Sequence, residues 1–315
     1  MQNNRGKHCL YECLIESVNQ ETEILLSEFE IFQILGGHEF YYFSHEEANF
    51  PNYWVRGNNF NFDLFEESTG IQLLRITEEN EQVALKNTLN RLSAKGYQLI
   101  ICNCYYLTYD EQNYQKNYDN HMVVIHSYLK ESDEFLISDG TYNKVLIKRE
   151  DLILSRKNTT QQKFEYIDLV VNNQIKKEEI LERMNRKMLN NAKDFKNKSY
   201  KFLDSLQKHF IEVDNCAGIF RKLSWQGMAK SIRSYHGPLY IRRMMGDYFE
   251  HKNEVLAEQY QLLAKQWANM ANLIMRLSLN KAELHTLEQV YQDIVQKEKD
   301  CNEMLLAYVQ EEIFN

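Results

Sequence analysis

Proline is almost missing. Pro51 and Pro238 are the only two in 315 residues, and with Asn, Lys, Tyr and Ile abundant the composition suggests an AT-rich bacterial genome. No window reaches the ~18 apolar residues that a membrane span needs. No apolar run near the amino terminus precedes a small-residue cleavage site, which argues against a signal peptide. The expectation is a cytoplasmic protein with no membrane partner. The six cysteines, Cys9, Cys13, Cys102, Cys104, Cys216 and Cys301, are too few and too irregularly spaced for a disulfide framework, so reduced thiols are expected. Cys102-x-Cys104 has no second pair of ligands, and a closed zinc site needs four, so no metal is expected.

Positive charge is in deficit overall, with a formal net charge of −8, but the deficit is uneven. Residues 1–175 carry 15 Lys+Arg against 26 Asp+Glu, and residues 244–315 carry 6 against 12. Residues 176–243 reverse the sign, with 16 against 7. A basic island on an acidic protein suits one acidic partner better than nucleic acid, whose phosphates the remaining surface would repel. The plainer alternative is that these side chains only solvate helix faces. What is plentiful is apolar content, 43%, enough for two domains or one large one.

The most informative stretch runs from Asn120 to Tyr142. Two apolar, β-branched runs, His121 to Tyr128 and Phe135 to Ile137, flank a charged Lys-Glu-Ser-Asp-Glu turn, the signature of a β-hairpin. His121 then opens one strand and Asp139 closes its antiparallel partner, so the two side chains can meet. An imidazole oriented by a carboxylate usually serves a nucleophile. The candidate is Cys9, in Gly6-Lys-His-Cys-Leu-Tyr-Glu-Cys-Leu-Ile. Leu10, Cys13, Leu14 and Val18 repeat at helical spacing behind it, which predicts a loop entering an amphipathic helix with Cys9 in its first turn. The backbone N–H groups and positive dipole end found there stabilise a thiolate. His8 is adjacent in sequence but points elsewhere on a helix, and Cys13, one turn deeper, reads as core.

The rest of the first 175 residues reads as mixed α+β. A short helix over Glu28–Leu35 stops at Gly36-Gly37, and a strand follows from His38 to Ser44. Asn49–Phe65, rich in Asn and aromatics, reads as an irregular loop that could wall a cleft. Glu78–Lys95 is helical, Gln98–Leu107 strand-like with Cys102 and Cys104 on one face, and Thr108–Asp119 a loop leading to His121. Val145–Leu154 and Phe164–Val171 complete this part. From Lys176 onward the pattern is helical: one long helix carries Tyr248, Val255, Leu263, Trp267, Met270, Ile274 and Leu277, and another carries a seam from Leu284 to Tyr308. That seam could pair between subunits of a homodimer as easily as within one chain. Arg242 and Arg243, in the first turns after Pro238, could bind an anionic substrate group, with surface solvation an equal alternative.

Several of these features, in this order, resemble the butirosin biosynthesis protein H family. They are Cys9 after its Gly-x-His-like lead, Gly36-Gly37 before an aromatic strand, His121 to Ile125, and Ser138-Asp139-Gly140 closing a hairpin. The family's N-terminal domain is similar to papain-like bacteriocin-processing cysteine peptidases. Leu239-Tyr-Ile-Arg-Arg-Met-Met with Tyr248-Phe249 and Trp267 is similar to the family's helical C-terminal domain. The resemblance therefore implies a papain-like catalytic domain over 1–175 with an antiparallel sheet, then an all-helical domain over 176–315 that covers the active site or docks a partner. It also implies a nucleophile at Cys9, a general base at His121, an orienting acid at Asp139 and an oxyanion donor near Asn3, with Tyr240, Arg242 and Arg243 as candidates for substrate binding. This sequence has Asp139-Gly140 where the family usually carries aspartate-proline.

Members of that family are acyltransferases that take an acyl group from the phosphopantetheine thioester of a carrier protein and form an amide with an amine. The implied partners are thus a carrier protein and a small-molecule amine acceptor, with no cofactor bound by the enzyme itself. The residues suit such chemistry. A thiolate exchanges one thioester for another, the amine completes the transfer, and His121 moves the protons. Two other readings use the same sequence: a cysteine peptidase or thioester hydrolase with the same triad, and a helical interaction protein whose catalytic part has decayed.

Overall fold

The computed structural model describes residues 7–44, 50–172 and 176–314. It is α+β, with antiparallel sheets in the N-terminal half and a helical C-terminal region. The chain divides into two compact units. The first comprises residues up to Ile31 and Phe62–Ile180, and the second Phe32–Asn61 and Leu181–Asn315. Phe32–Asn61 thus groups with the later helices and not with the residues on either side of it. Among the described residues no helix is long and apolar enough to cross a membrane.

In the first unit, α1 (Cys9–Thr22) opens the chain and α3 (Phe62–Thr69) leads into β3 (Ile71–Glu78). Then come α4 (Glu81–Lys95), β4 (Gln98–Cys102), β5 (His121–Leu129), β6 (Glu134–Ser138), β7 (Val145–Lys148), α5 (Arg149–Lys157) and β8 (Phe164–Val171). The strands form one six-stranded antiparallel sheet in the order β3-β8-β4-β5-β6-β7. Every residue of β4 is buried, which accounts for its continuous apolar run. The strand stops at Cys102, and Cys104 begins a single 3-10 turn, so the strand expected to reach Leu107 is shorter. Asn103 ends it: its side chain accepts from Tyr105 N–H and donates to the Asn158 carbonyl, pulling the chain out of the ladder. Ile100, Cys102, Cys104, Val123, Ile125, Phe135 and Ile137 form one core cluster with Leu85 and Leu89 of α4 packed on it.

The expected hairpin forms. β5 and β6 pair from Leu129 with Glu134 to Val124 with Ser138, and a bulge between Ile125 and Ser127 shifts the register. Asp133 turns the chain in the left-handed region at φ 57°. That register sets His121 at one end of β5 and Asp139 just beyond β6, both at the same end of the hairpin.

In the second unit, α2 (Glu28–Ile34), which begins in the first unit, ends at Gly36 and Gly37, both at positive φ. β1 (His38–Ser44) pairs with β2 (Tyr53–Asn58) as a two-stranded antiparallel sheet. Residues 53–58 were expected to be irregular. The aromatic and β-branched side chains of Tyr53, Trp54 and Val55 make a strand once β1 lies alongside, a partner that local pattern does not reveal. A Cβ on Gly57 would lie 2.8 Å from the Pro238 Cα, so β2 can approach α9 (Pro238–Phe249) only as glycine.

The helices are α6 (Lys177–Asp194), a π-type turn over Phe195–Ser199, α7 (Tyr200–Asp214), α8 (Gly218–Arg233), α9, α10 (Glu254–Leu277) and α11 (Leu284–Phe314). The single helix expected through Tyr248 and Leu277 is two, because Asn253 caps α10 by accepting from Leu256 N–H. Leu287, Tyr291, Ile294, Cys301 and Leu305 of the α11 seam are buried within the unit, against α10 and α7. The Tyr291 hydroxyl donates to the Leu203 carbonyl at 2.7 Å.

Candidate active site

Cys9 is the first residue of α1, where the helix leaves backbone N–H groups unpaired and its dipole is positive. His8 precedes it as the N-cap: its Nδ1 accepts from Leu10 N–H at 3.2 Å, its ring lies 4.3 Å from Tyr11, and it is buried. His8 therefore builds the turn that presents the thiol. Cys9 is half-buried, whereas Cys13 is buried in the core.

His121 enters from the other side in sequence. Asn120 turns the chain at φ 60°, a conformation Asn tolerates, and the strand begins with His121 opposite Cys102. Its Nε2 lies 3.0 Å from Asp139 Oδ2, and the Asp139 side chain is 1% exposed. The same oxygen accepts the Tyr109 hydroxyl at 2.8 Å. The other, Oδ1, accepts the N–H groups of Thr141 at 2.7 Å and Tyr142 at 2.8 Å, an Asx-type turn that fixes the carboxylate. With Nε2 committed to Asp139, Nδ1 is the ring nitrogen left for a thiol. The Cys9 thiol hydrogen-bonds the His121 ring, and the Met122 backbone N–H is directed to the same sulfur.

Opposed forces set the charge state. Burial alone would raise the Cys9 thiol, but the charge and hydrogen bond of His121 and the Met122 N–H outweigh it and bring it below its ordinary range. Burial alone would hold His121 neutral; the Cys9 thiolate and the bonds to Asp139 and Cys104 instead raise it well above the ordinary imidazole range. Burial would likewise raise Asp139, yet the His121 bond and charge and two backbone N–H groups keep it below the usual carboxylate range. All three directions favour a thiolate–imidazolium pair backed by a carboxylate. Cys13, by contrast, is pushed well above the ordinary thiol range by burial and by the neighbouring Cys9 charge, so it stays a thiol.

Gly140 ties the two halves of the site together. Its carbonyl accepts Lys7 N–H at 2.8 Å, and a Cβ there would lie 2.3 Å from the Lys7 carbonyl oxygen and 2.8 Å from Cys9 N. Only glycine lets the segment after Asp139 run this close to the start of α1.

The structure thus brings together Cys9, His121 and Asp139. Asn3 lies outside the described residues. Tyr240, Arg242 and Arg243 are in the second unit, and the guanidinium expected to meet a substrate is buried: Arg242 is 0% exposed and its Nε lies 3.0 Å from both Glu298 oxygens. Trp267 Nε1–H donates to the same carboxylate at 2.7 Å. Arg242 falls on the buried face of α9 with Ile241 and Met245, and its partner comes from α11, so no local pattern distinguished it from a surface arginine. Tyr240 is buried against Tyr235, with the Arg243 guanidinium over its ring at 5.5 Å. Tyr109, Met122 N–H, Cys104 and Gly140 were not singled out as parts of the site. Of these only Gly140 left a trace, as the departure from aspartate-proline. Among the described residues no cluster of three or more His, Cys, Asp or Glu could hold a metal ion.

A thiol at a helix start, an imidazole at a strand start and a carboxylate beyond the partner strand make a cysteine-centred site on an α+β unit. Residues 8–140, which contain all three, match the family model described as butirosin biosynthesis protein H, N-terminal. A comparison with curated proteins gave no match.

Proposed function

We propose that the chain is an amide-forming cysteine acyltransferase of specialised metabolite biosynthesis, with a papain-like catalytic plan. The observation that carries this reading is the hydrogen-bonded series Cys9, His121, Asp139 with the sulfur at the head of α1. The family match favours a biosynthetic acyl transfer over protein breakdown. The Cys9 thiolate attacks the carbonyl carbon of an acyl group held as a thioester on the phosphopantetheine of a carrier protein. The C–S bond to the carrier breaks, its sulfur leaves with the proton from His121, and the acyl group rests on Cys9. An amine then attacks that carbonyl, His121 takes the ammonium proton, and the Cys9 sulfur departs as thiolate when the amide forms. Backbone N–H groups at the start of α1 face the developing oxyanion. The thioester supplies the driving force, so the reaction calls for no bound cofactor.

An acidic carrier would dock on the basic island. Several of its cations are already used, Arg186 on Glu182, Lys198 on Asp194, Arg221 on Asp214 and Arg242 on Glu298. Lys222 and Lys230 of α8 are exposed, alongside the exposed apolar side chains Ile219, Phe220 and Leu223. Incubation with an acyl-carrier thioester tests the reading by mass spectrometry. An acyl mass on Cys9, discharged by added amine, supports transfer; rapid release as free acid marks a hydrolase, and an unmodified Cys9 removes the nucleophile.

A further inference from the structure

We propose that Tyr109 is a positioning residue of this site: its hydroxyl, donated to Asp139 Oδ2, turns that carboxylate onto His121 Nε2. The inference rests on the reading of Cys9, His121 and Asp139 as the reactive series. Oδ1 is fixed by Thr141 and Tyr142 N–H, but those two bonds leave the carboxylate free to rock about Oδ1. The second bond to Oδ2 removes that freedom. Tyr109 is itself well fixed: its ring meets the Tyr142 ring edge-on at 5.2 Å. It follows Leu107, buried in the core, and precedes the Asp110 side chain, which accepts Gln112 and Asn113 N–H and closes the next turn. The hydroxyl stays a donor at every working pH, because burial and the adjacent Asp139 charge push its ionisation well above the ordinary phenol range. Asp139 also feels His121, Tyr142 and the thiols Cys9, Cys13 and Cys102, none of which takes the place of the Tyr109 bond at Oδ2.

The test is the ionisation of the His121 ring, followed by NMR in the Cys9→Ser protein, where the imidazole titrates without the coupled thiol. Tyr109→Phe keeps the ring and its contact with Tyr142 and removes only the hydroxyl. If the hydroxyl aims the carboxylate, His121 loses part of its partner and titrates about one pH unit lower, a tenfold loss in proton affinity. In the Asp139→Asn background the same substitution then changes nothing. A His121 titration that is unmoved overturns the proposal. So does one that moves upward, since the hydroxyl then only competes for Oδ2 charge. A purely structural tyrosine would lower Tm and leave the titration in place. Alkylation of Cys9 in the otherwise native protein separates the two levels: an unreactive thiol overturns the reactive-site reading and the proposal with it, whereas a reactive thiol with an unmoved His121 overturns the proposal alone.

Discussion

Gly140→Ala is the sharpest single perturbation of the site, because it adds one methyl group where two backbone segments meet. The new Cβ would lie 2.3 Å from the Lys7 carbonyl oxygen, 2.8 Å from Cys9 N and 3.0 Å from Cys9 Cα. None of these is a flexible side-chain end, so the relief must come from the main chain. An ordinary C···O contact is roughly 1 Å longer than the shortest of these, so the start of α1 must retreat by that order from the Asp139 turn. Overpacking of this kind costs about 1–3 kcal/mol, and the Lys7 N–H bond to Gly140 weakens with it. Cys9 moves away from His121 at the same time, and a misplacement of about 1 Å can cost on the order of 100-fold in a positioned reaction. The variant should therefore unfold at lower urea and lose alkylation of Cys9 at pH 6 to a much greater degree than its stability loss predicts. Unchanged alkylation together with an unchanged unfolding midpoint would refute the close-contact argument.

Three further outcomes are expected. His121→Ala removes the charge and hydrogen bond that offset burial of the Cys9 thiol, so alkylation below pH 8 should slow about tenfold for each pH unit by which the thiolate range rises; an unaltered pH profile would count against the pair. Glu298→Gln leaves the Arg242 charge buried with no carboxylate, and urea denaturation should show a loss of about 3–5 kcal/mol, much of it regained in Arg242→Met/Glu298→Leu. His38 and His236 are both held down to about 3, His38 by burial and then Arg242, His236 by burial and then Arg56. Their neutral forms belong to the folded state, so the unfolded chain binds more protons below about pH 6.5 and stability falls towards pH 3, by up to about 1.4 kcal/mol per group per pH unit. A urea midpoint that holds steady between pH 7 and 4.5 would contradict this.

Residues 7–22 and 120–142 determine much of the site by themselves. Helical spacing behind Cys9 sets the thiol at a helix start, and two β-branched runs around a charged turn set His121 and Asp139 at the same end of a hairpin. Both are local patterns, readable because side-chain periodicity follows backbone geometry. The short helix before Gly36-Gly37 was legible for the same reason. What the tertiary structure decided depends on partners far away in sequence. Tyr109 reaches Asp139 from a polar loop 30 residues earlier, Met122 N–H meets a sulfur from α1, and β2 becomes a strand only beside β1. Arg242 looks like any helix-start arginine until Glu298, 56 residues later, closes on it in the core. Charge pairing and backbone approach across such separations leave no period in the sequence, so only the folded chain reveals them.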